Sequence, residues 1–342
     1  NQMAGPLFRE LAEDLAPLYK DGCLLVTGHP DTLKMNIDKK LKLVIEPAPG
    51  YNRSSNLKRV ISWIKYTLFT SKYVLFAKPG DAIMLVSNPP ILGGWVWLLT
   101  RFKRTPYSVL VYDIHPDVLI RAGVLRSNTL IVNLWRMVNR KVYENAKLLI
   151  TIGKKMTELL NTQISSKTKD VVFLPMWVDV EKIKPLAKIK NPYAKQFTKV
   201  SDKFIILYSG NMGKSHDIDS ILEAAKTLRH RTDIKFVFIG DGERCGDVKS
   251  FIKINKLVNV SLFPFQPENM IKYTLPLEDI SLVSLDQGME DIMVPSKTFY
   301  YLAAGSAIMA IANNHSELAD ILDQNNCGTL IEPGRPDVLA KN

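Results

Sequence analysis

Short apolar runs of strand length alternate with longer segments of helical periodicity along the whole chain. In the first half the runs fall at 23–27, 43–45, 82–86, 108–112 and 148–152. In the second half they fall at 204–208, 235–239, 260–263, 280–285, 307–311 and 329–331. Near-continuous hydrophobicity within a run marks a strand buried on both faces, and a helical segment between successive runs marks a parallel crossover. The pattern predicts an α/β chain of two doubly wound, Rossmann-like domains. The first is expected over 1–180, a Lys- and Pro-bearing connection without periodicity over 181–200, and the second over 201–342. The chain opens at Asn1 just ahead of a helical segment, so a first strand and an initiator Met are expected to precede it.

The stretch 54–76 sets Leu57, Ile61, Ile64 and Leu68 on one stripe and Lys58, Lys65 and Lys72 along its edge. Trp63 and Phe69 are assigned to its apolar face and Ser54 to its N-cap. The segment reads either as an ordinary packing helix with solvated lysines or as a helix resting on an anionic membrane. Trp95, Trp97, Arg101, Phe102, Lys103 and Arg104 add aromatic and basic side chains in the same domain, which favours the membrane and with it a lipid-linked acceptor.

Composition narrows the classes. A chain of 342 residues exceeds what one core usually supports, and 46% apolar with 23% charged residues is a globular balance that excludes disordered and collagenous chains. The net charge of +11 calls for an anionic partner without choosing among nucleic acid, phospholipid and phosphorylated small molecules. Cys23, Cys245 and Cys327 match neither a metal-ligand spacing nor a disulfide framework, so no metal and a reducing, cytoplasmic setting are expected. No apolar run reaches the roughly 18 residues that span a bilayer. Aromatic residues interleaved with basic ones in the manner of RNA-binding sheets are not found, so nucleic acid is not an expected partner.

The chemistry concentrates in the second half. The run at 204–208 leads through Ser209-Gly-Asn-Met-Gly-Lys214 into a helix beginning near Asp217. Such a turn aims backbone N–H groups at one spot and suits a diphosphate, although a plain Gly-containing βα turn with an exposed Lys reads the same way. After the run at 280–285, Pro295-Ser-Lys-Thr298 stands at a helix start and Gly305 just past its end. Both turns would lie at the carboxyl edge of one sheet, where open α/β sheets bind ligands.

These residues resemble the GT-B glycosyltransferases, in particular glycosyltransferase family 4 near its bacterial surface-polysaccharide members. The resemblance is carried by Ser209–Lys214, Ile239-Gly-Asp-Gly-Glu243, Val294-Pro-Ser-Lys297, Tyr301-Leu-Ala-Ala-Gly305, Asn314-His-Ser-Glu317 and Cys327-Gly328. In the first half it is thinner, resting on Ser87-Asn-Pro-Pro90 and Asp113-Ile-His-Pro-Asp117. It implies two Rossmann-like domains facing across a cleft, and retaining transfer from a nucleoside-diphosphate sugar, UDP favoured over GDP. The implied acceptor is a glycan or a polyprenyl-diphosphate-linked chain in cell-surface polysaccharide synthesis, with the enzyme peripheral on the inner face of the plasma membrane. No cofactor beyond the co-substrate is implied.

Carried over position by position, Gly210, Asn211, Gly213, Lys214, Ser296, Lys297 and Thr298 would hold the donor diphosphate, with Asp241 beside them. Phe265 and Gln266 would border the base, and Gly5 would approach the phosphates from the other side. Glu290 would reach the donor sugar, and Asp113 and His115 the transferred sugar or the acceptor hydroxyl. Tyr300 stands where many relatives carry a ribose-clasping Glu, and Asn211 and His216 where they carry Arg and Lys. Asp217-Ile-Asp219 is read as a helix start, not a metal motif. A sugar-nucleotide epimerase of similar architecture, or a non-catalytic nucleotide-sugar or RNA-binding protein, are the alternatives.

Overall fold

The computed structural model describes residues 5–34, 40–52, 54–165, 170–194, 203–213, 216–285, 288–289 and 291–342. Its contacts divide the chain into two compact units, Asn1–Pro175 and Met176–Asn342. Every strand pair in both units is parallel. That follows from the sequence pattern, since each apolar run is followed by a helix that must return the chain to the same edge.

In the first unit β1 (Cys23–Thr27) pairs with β2 (Leu43–Pro47). A separate four-stranded sheet runs β3 (Ile83–Val86), β4 (Tyr107–Val111), β5 (Leu148–Thr151) and β6 (Val171–Phe173). The strand β6 is three residues long, too short for a periodic signal, and its ladder to β5 from Leu149↔Val171 to Thr151↔Phe173 is what defines it. The segment expected to connect the domains is folded into the second unit as far as it is described. Ile183, Asn191 and Ala194 are buried there, and the Asn191 side chain donates to the Tyr273 carbonyl at 2.6 Å.

The second unit holds six strands in the order β12-β11-β10-β7-β8-β9. They are β7 (Phe204–Ser209), β8 (Ile234–Ile239), β9 (Val260–Phe263), β10 (Ile280–Ser284), β11 (Ala307–Ile311) and β12 (Gly328–Ile331). Chain order reverses between β7 and β10, which makes their carboxyl ends the switch point at which such sheets take ligands. Ile206, Tyr208, Phe236, Phe238, Leu282, Met309 and Ile311 pack from the sheet against Ile218, Ile221 and Leu222 of the helix Ile218–Thr227.

One element departs from expectation. The helix Asn56–Leu75 is capped by Ser55, whose side chain accepts from the Lys58 N–H at 3.2 Å; Ser54 instead donates to Asn52. Its buried side carries Ser62, Tyr66, Thr67, Thr70 and Val74, while Leu57, Ile61, Ile64 and Leu68 face solvent. Three of these polar residues are satisfied by backbone carbonyls: Ser62 donates to Arg59 O, Thr70 to Thr67 O and Tyr66 to Val26 O, while the Thr67 hydroxyl has no partner among the described residues. Trp63 stacks on Tyr51 and lies away from the exposed stripe, contrary to its assignment to the apolar face.

Candidate functional site

The carboxyl ends of β7 and β8 are laced together by backbone. Gly210 N–H donates to Ile239 O at 2.8 Å, Met212 N–H to Asp241 O at 2.7 Å and Arg244 N–H to Met212 O at 3.0 Å. This is possible only because Gly240 and Gly242 lack side chains. A Cβ at Gly240 would sit 1.9 Å from the Gly210 carbonyl oxygen, and one at Gly242 2.5 Å from that of Met212, both at φ near +145°.

The turn after β7 meets the helix Lys297–Ala303. Tyr301, wholly buried, uses its hydroxyl twice, accepting from Ser209 N–H at 2.7 Å and donating to Ser209 O at 3.0 Å. A Cβ on Gly210 would lie 3.8 Å from Cδ of Lys297, so the lysine stem runs past that glycine. The Lys297 Nζ is enclosed, lies 3.7 Å from the centroid of the Tyr208 ring and has no hydrogen-bond partner among the described residues. Burial pushes its ammonium down to about 7. Thr298 beside it is buried with its hydroxyl also unpartnered.

Neighbouring acceptors are already engaged. The Tyr208 hydroxyl donates to Asn211 O at 2.9 Å. His216 Nδ1 lies 2.6 Å from Ser284 O, which makes Nδ1 the protonated nitrogen of a neutral ring. Burial first, then the charge of Lys297, push His216 down to about 4 against that bond. Ser284 Oγ accepts from Asp217 N–H at 2.7 Å. Asp217 caps its helix through Ser220 N–H at 3.0 Å and takes Gly334 N–H at 2.8 Å, while Asp219 pairs with Arg244 at 2.6 Å.

Of the other predicted donor residues, Gly213 packs against Asn211, with a Cβ there 2.8 Å from Asn211 Nδ2. Asp241 is exposed. Ser296 is exposed directly before the helix, and Tyr300 is half-buried within it. Phe265 is exposed, and Gln266 is folded back to donate to Pro264 O at 2.8 Å. Lys214 and Glu290 lie outside the described residues. Tyr208, Tyr301 and Ser284 were not singled out from sequence as ligand-site residues; only Tyr301 sits in a quoted motif, and the others read as ordinary strand ends.

In the first unit His115 is buried, not exposed at a loop surface. Its Nε2 is 3.1 Å from Asn88 Oδ1, Asn88 Nδ2 donates to Asp113, and the ring stacks on Trp135. Its Nδ1 is enclosed without a partner among the described residues, and burial pushes the imidazole down despite the charges of Asp113 and Asp117. Ser87 Oγ accepts from the N–H groups of Tyr112 and Asp113 at 3.1 Å each, fixing the loop. Gly5 begins the helix Gly5–Leu15 at φ +45°, where a Cβ would lie 3.0 Å from the His29 ring.

Residues 189–342 match the family model of glycosyl transferases group 1. The second unit is a glycosyl transferase group 1 domain. Across the wider chain, the protein named probable glycosyltransferase WbjE of Pseudomonas aeruginosa is 27% identical over 294 residues, 86% of this chain and 73% of its own length. WcaI of Escherichia coli strain K12, named for glycosyl transfer in colanic acid biosynthesis, is 26% identical over 249 residues, 71% of this chain and 60% of its own length. The fold extends the likeness to both units. The structure of Anabaena HepE in complex with UDP-glucose superposes with a TM-score of 0.70 at 15% identity, covering 100% of this chain and 86% of that one. The architecture is therefore GT-B, two α/β units with parallel sheets. Among the described residues no helix is long and apolar enough to cross a membrane.

Proposed function

We propose that the protein transfers a sugar, with retention at the anomeric carbon, from a nucleoside-diphosphate sugar to a glycan or lipid-linked acceptor in surface-polysaccharide synthesis. The observation that carries this reading is Lys297: an enclosed cation with no anionic partner among the described residues, running past Gly210 at the switch point of the sheet. A burial of this kind costs several kcal/mol unless an anion offsets it. A diphosphate leaving group is such an anion. Gly210, Asn211, Gly213, Lys214, Ser296 and Thr298 would complete its cradle, and Asp241 would stand beside it. UDP is the favoured nucleotide, in keeping with the ligand of the HepE structure, with Phe265 and Gln266 at the base and Tyr300 at the ribose.

The chemistry required is charge stabilisation on the departing diphosphate, so preordered N–H groups and lysines outweigh any protein nucleophile. No metal ion or further cofactor enters the scheme. Glu290 is assigned to the donor sugar. Asp113 and His115 are assigned to the transferred sugar or acceptor, with the imidazole kept neutral by burial and aligned through Asn88. The exposed stripe of Leu57, Ile61, Ile64 and Leu68 beside Lys58, Lys65 and Lys72 supports docking on an anionic membrane, which would present a polyprenyl-diphosphate-linked acceptor at the cytoplasmic surface.

The test is release of nucleoside diphosphate from UDP- and GDP-sugars with and without a lipid extract. Acceptor-dependent release is expected, and release or epimerisation indifferent to every acceptor would remove the transferase reading.

A further inference from the structure

We propose that the site takes up a proton together with its donor, the arriving diphosphate being what charges Lys297. The inference rests on the donor-site reading above and adds a thermodynamic linkage to it.

The geometry leaves the ammonium form poorly supported. Below Nζ lies the face of Tyr208, and on its own helix Tyr301 has its hydroxyl committed in both directions to Ser209. His216 stands close enough for its own charging to be opposed by Lys297, and its Nδ1–H is spent on the Ser284 carbonyl. The Tyr208 hydroxyl is likewise spent on Asn211 O. A ring face contributes on the order of 2 kcal/mol to an enclosed cation, against the several kcal/mol its desolvation costs. Lys214, Asp286 and Glu290 lie outside the described residues.

With the ammonium pushed down to about 7, Lys297 is largely neutral at pH 8.5. A diphosphate at contact distance favours the charged form and draws the group back toward its ordinary 10.5. Proton affinity is then higher in the bound state. Binding takes up a proton above about pH 7, and takes up almost none at pH 6, where Lys297 is already charged. By the same linkage, donor affinity falls as pH rises above about 7, approaching tenfold per unit. His216, down at about 4, stays neutral across this range and adds no second proton.

The experiment is calorimetric titration with UDP-glucose and with GDP-mannose at pH 8.5 and 6.0, in buffers of contrasting ionisation enthalpy. These diphosphate diesters carry no group that titrates near neutrality. The expected result is close to one proton taken up per donor at pH 8.5 and almost none at pH 6.0, with no uptake in Lys297→Arg or Lys297→Met. Wild-type binding with no proton uptake at pH 8.5 overturns the inference while the donor site stands. Uptake that persists in both variants overturns the assignment to Lys297. Failure of both nucleotide sugars to bind overturns the donor-site reading and this inference with it.

Discussion

Lys297 and Tyr301 stand four residues apart on one short helix and make the same junction from opposite needs. Tyr301 secures the end of β7 by offering its hydroxyl to both the N–H and the carbonyl of Ser209. Tyr301→Phe leaves two backbone groups without that partner in a closed environment, and should cost about 1 to 3 kcal/mol of stability, read as a lower urea midpoint. Lys297→Ala removes an enclosed cation that lacks an anion among the described residues, so the free protein should gain or hold stability while donor affinity drops by about 1.5 to 3 kcal/mol. The two variants thus separate a structural role from a binding role at adjacent positions on one face. The motif spacing singled out Lys297 as a candidate for the diphosphate site. Its contact with the Tyr208 ring was not legible, because a tyrosine closing an apolar run looks like any other strand residue until the chain brings β10 and the following helix beside it.

At the scale of elements, the parallel sheets were readable because burial on both faces leaves an uninterrupted apolar run. The strand β6 was not, because at three residues its identity depends on pairing with β5. The helix Asn56–Leu75 is the instructive case. Periodicity located it and its two faces, but periodicity cannot say which face turns inward. Here the unit receives Ser62, Tyr66, Thr67 and Thr70, since local bonds to backbone carbonyls satisfy Ser62 and Thr70, and Tyr66 reaches the Val26 carbonyl of β1. The leucines and isoleucines are left outside. Ile64→Ser combined with Leu68→Ser should therefore change stability by no more than about 0.5 kcal/mol, the range for exposed positions. The same pair should lower association with vesicles containing anionic phospholipid several-fold, measured by cosedimentation. Unchanged sedimentation with unchanged stability would remove the membrane from the functional reading. The loop pair after β7 and β8 carries a sharper demand: Gly240→Ala would drive a methyl group into the Gly210 carbonyl. Loss of stability together with loss of donor binding is expected, seen as a lower Tm that UDP-glucose no longer raises.

For the molecule as a whole, the sheet of the second unit carries buried ionisable groups at both edges. Lys297 stands at the carboxyl edge. At the amino edge Glu278 lines a cavity of about 450 Å³, its Oε1 accepting from Ser281 at 3.2 Å and its Oε2 enclosed without a partner among the described residues. Burial pushes this carboxyl up to about 8, against hydrogen bonds that act the other way. The sign of its effect on stability is fixed by that direction. Between an unfolded value near 4.5 and the folded value of about 8, the folded chain holds a proton that the unfolded chain releases. Raising pH through this window therefore favours unfolding through Glu278, and its contribution is least unfavourable below about 4.5. Glu278→Gln keeps an acceptor for Ser281 and removes the ionisation from both states. Its unpartnered NH₂ takes the place of an equally unpartnered acid hydroxyl, so the two proteins should have similar stability near pH 5. By pH 8 the variant should be the more stable, on the order of 2 to 4 kcal/mol. Urea denaturation of both proteins across this pH range measures the difference directly. A constant difference from pH 5 to 8 would mean that Glu278 is ionised in the folded protein, and that the amino edge is open enough to solvate its charge.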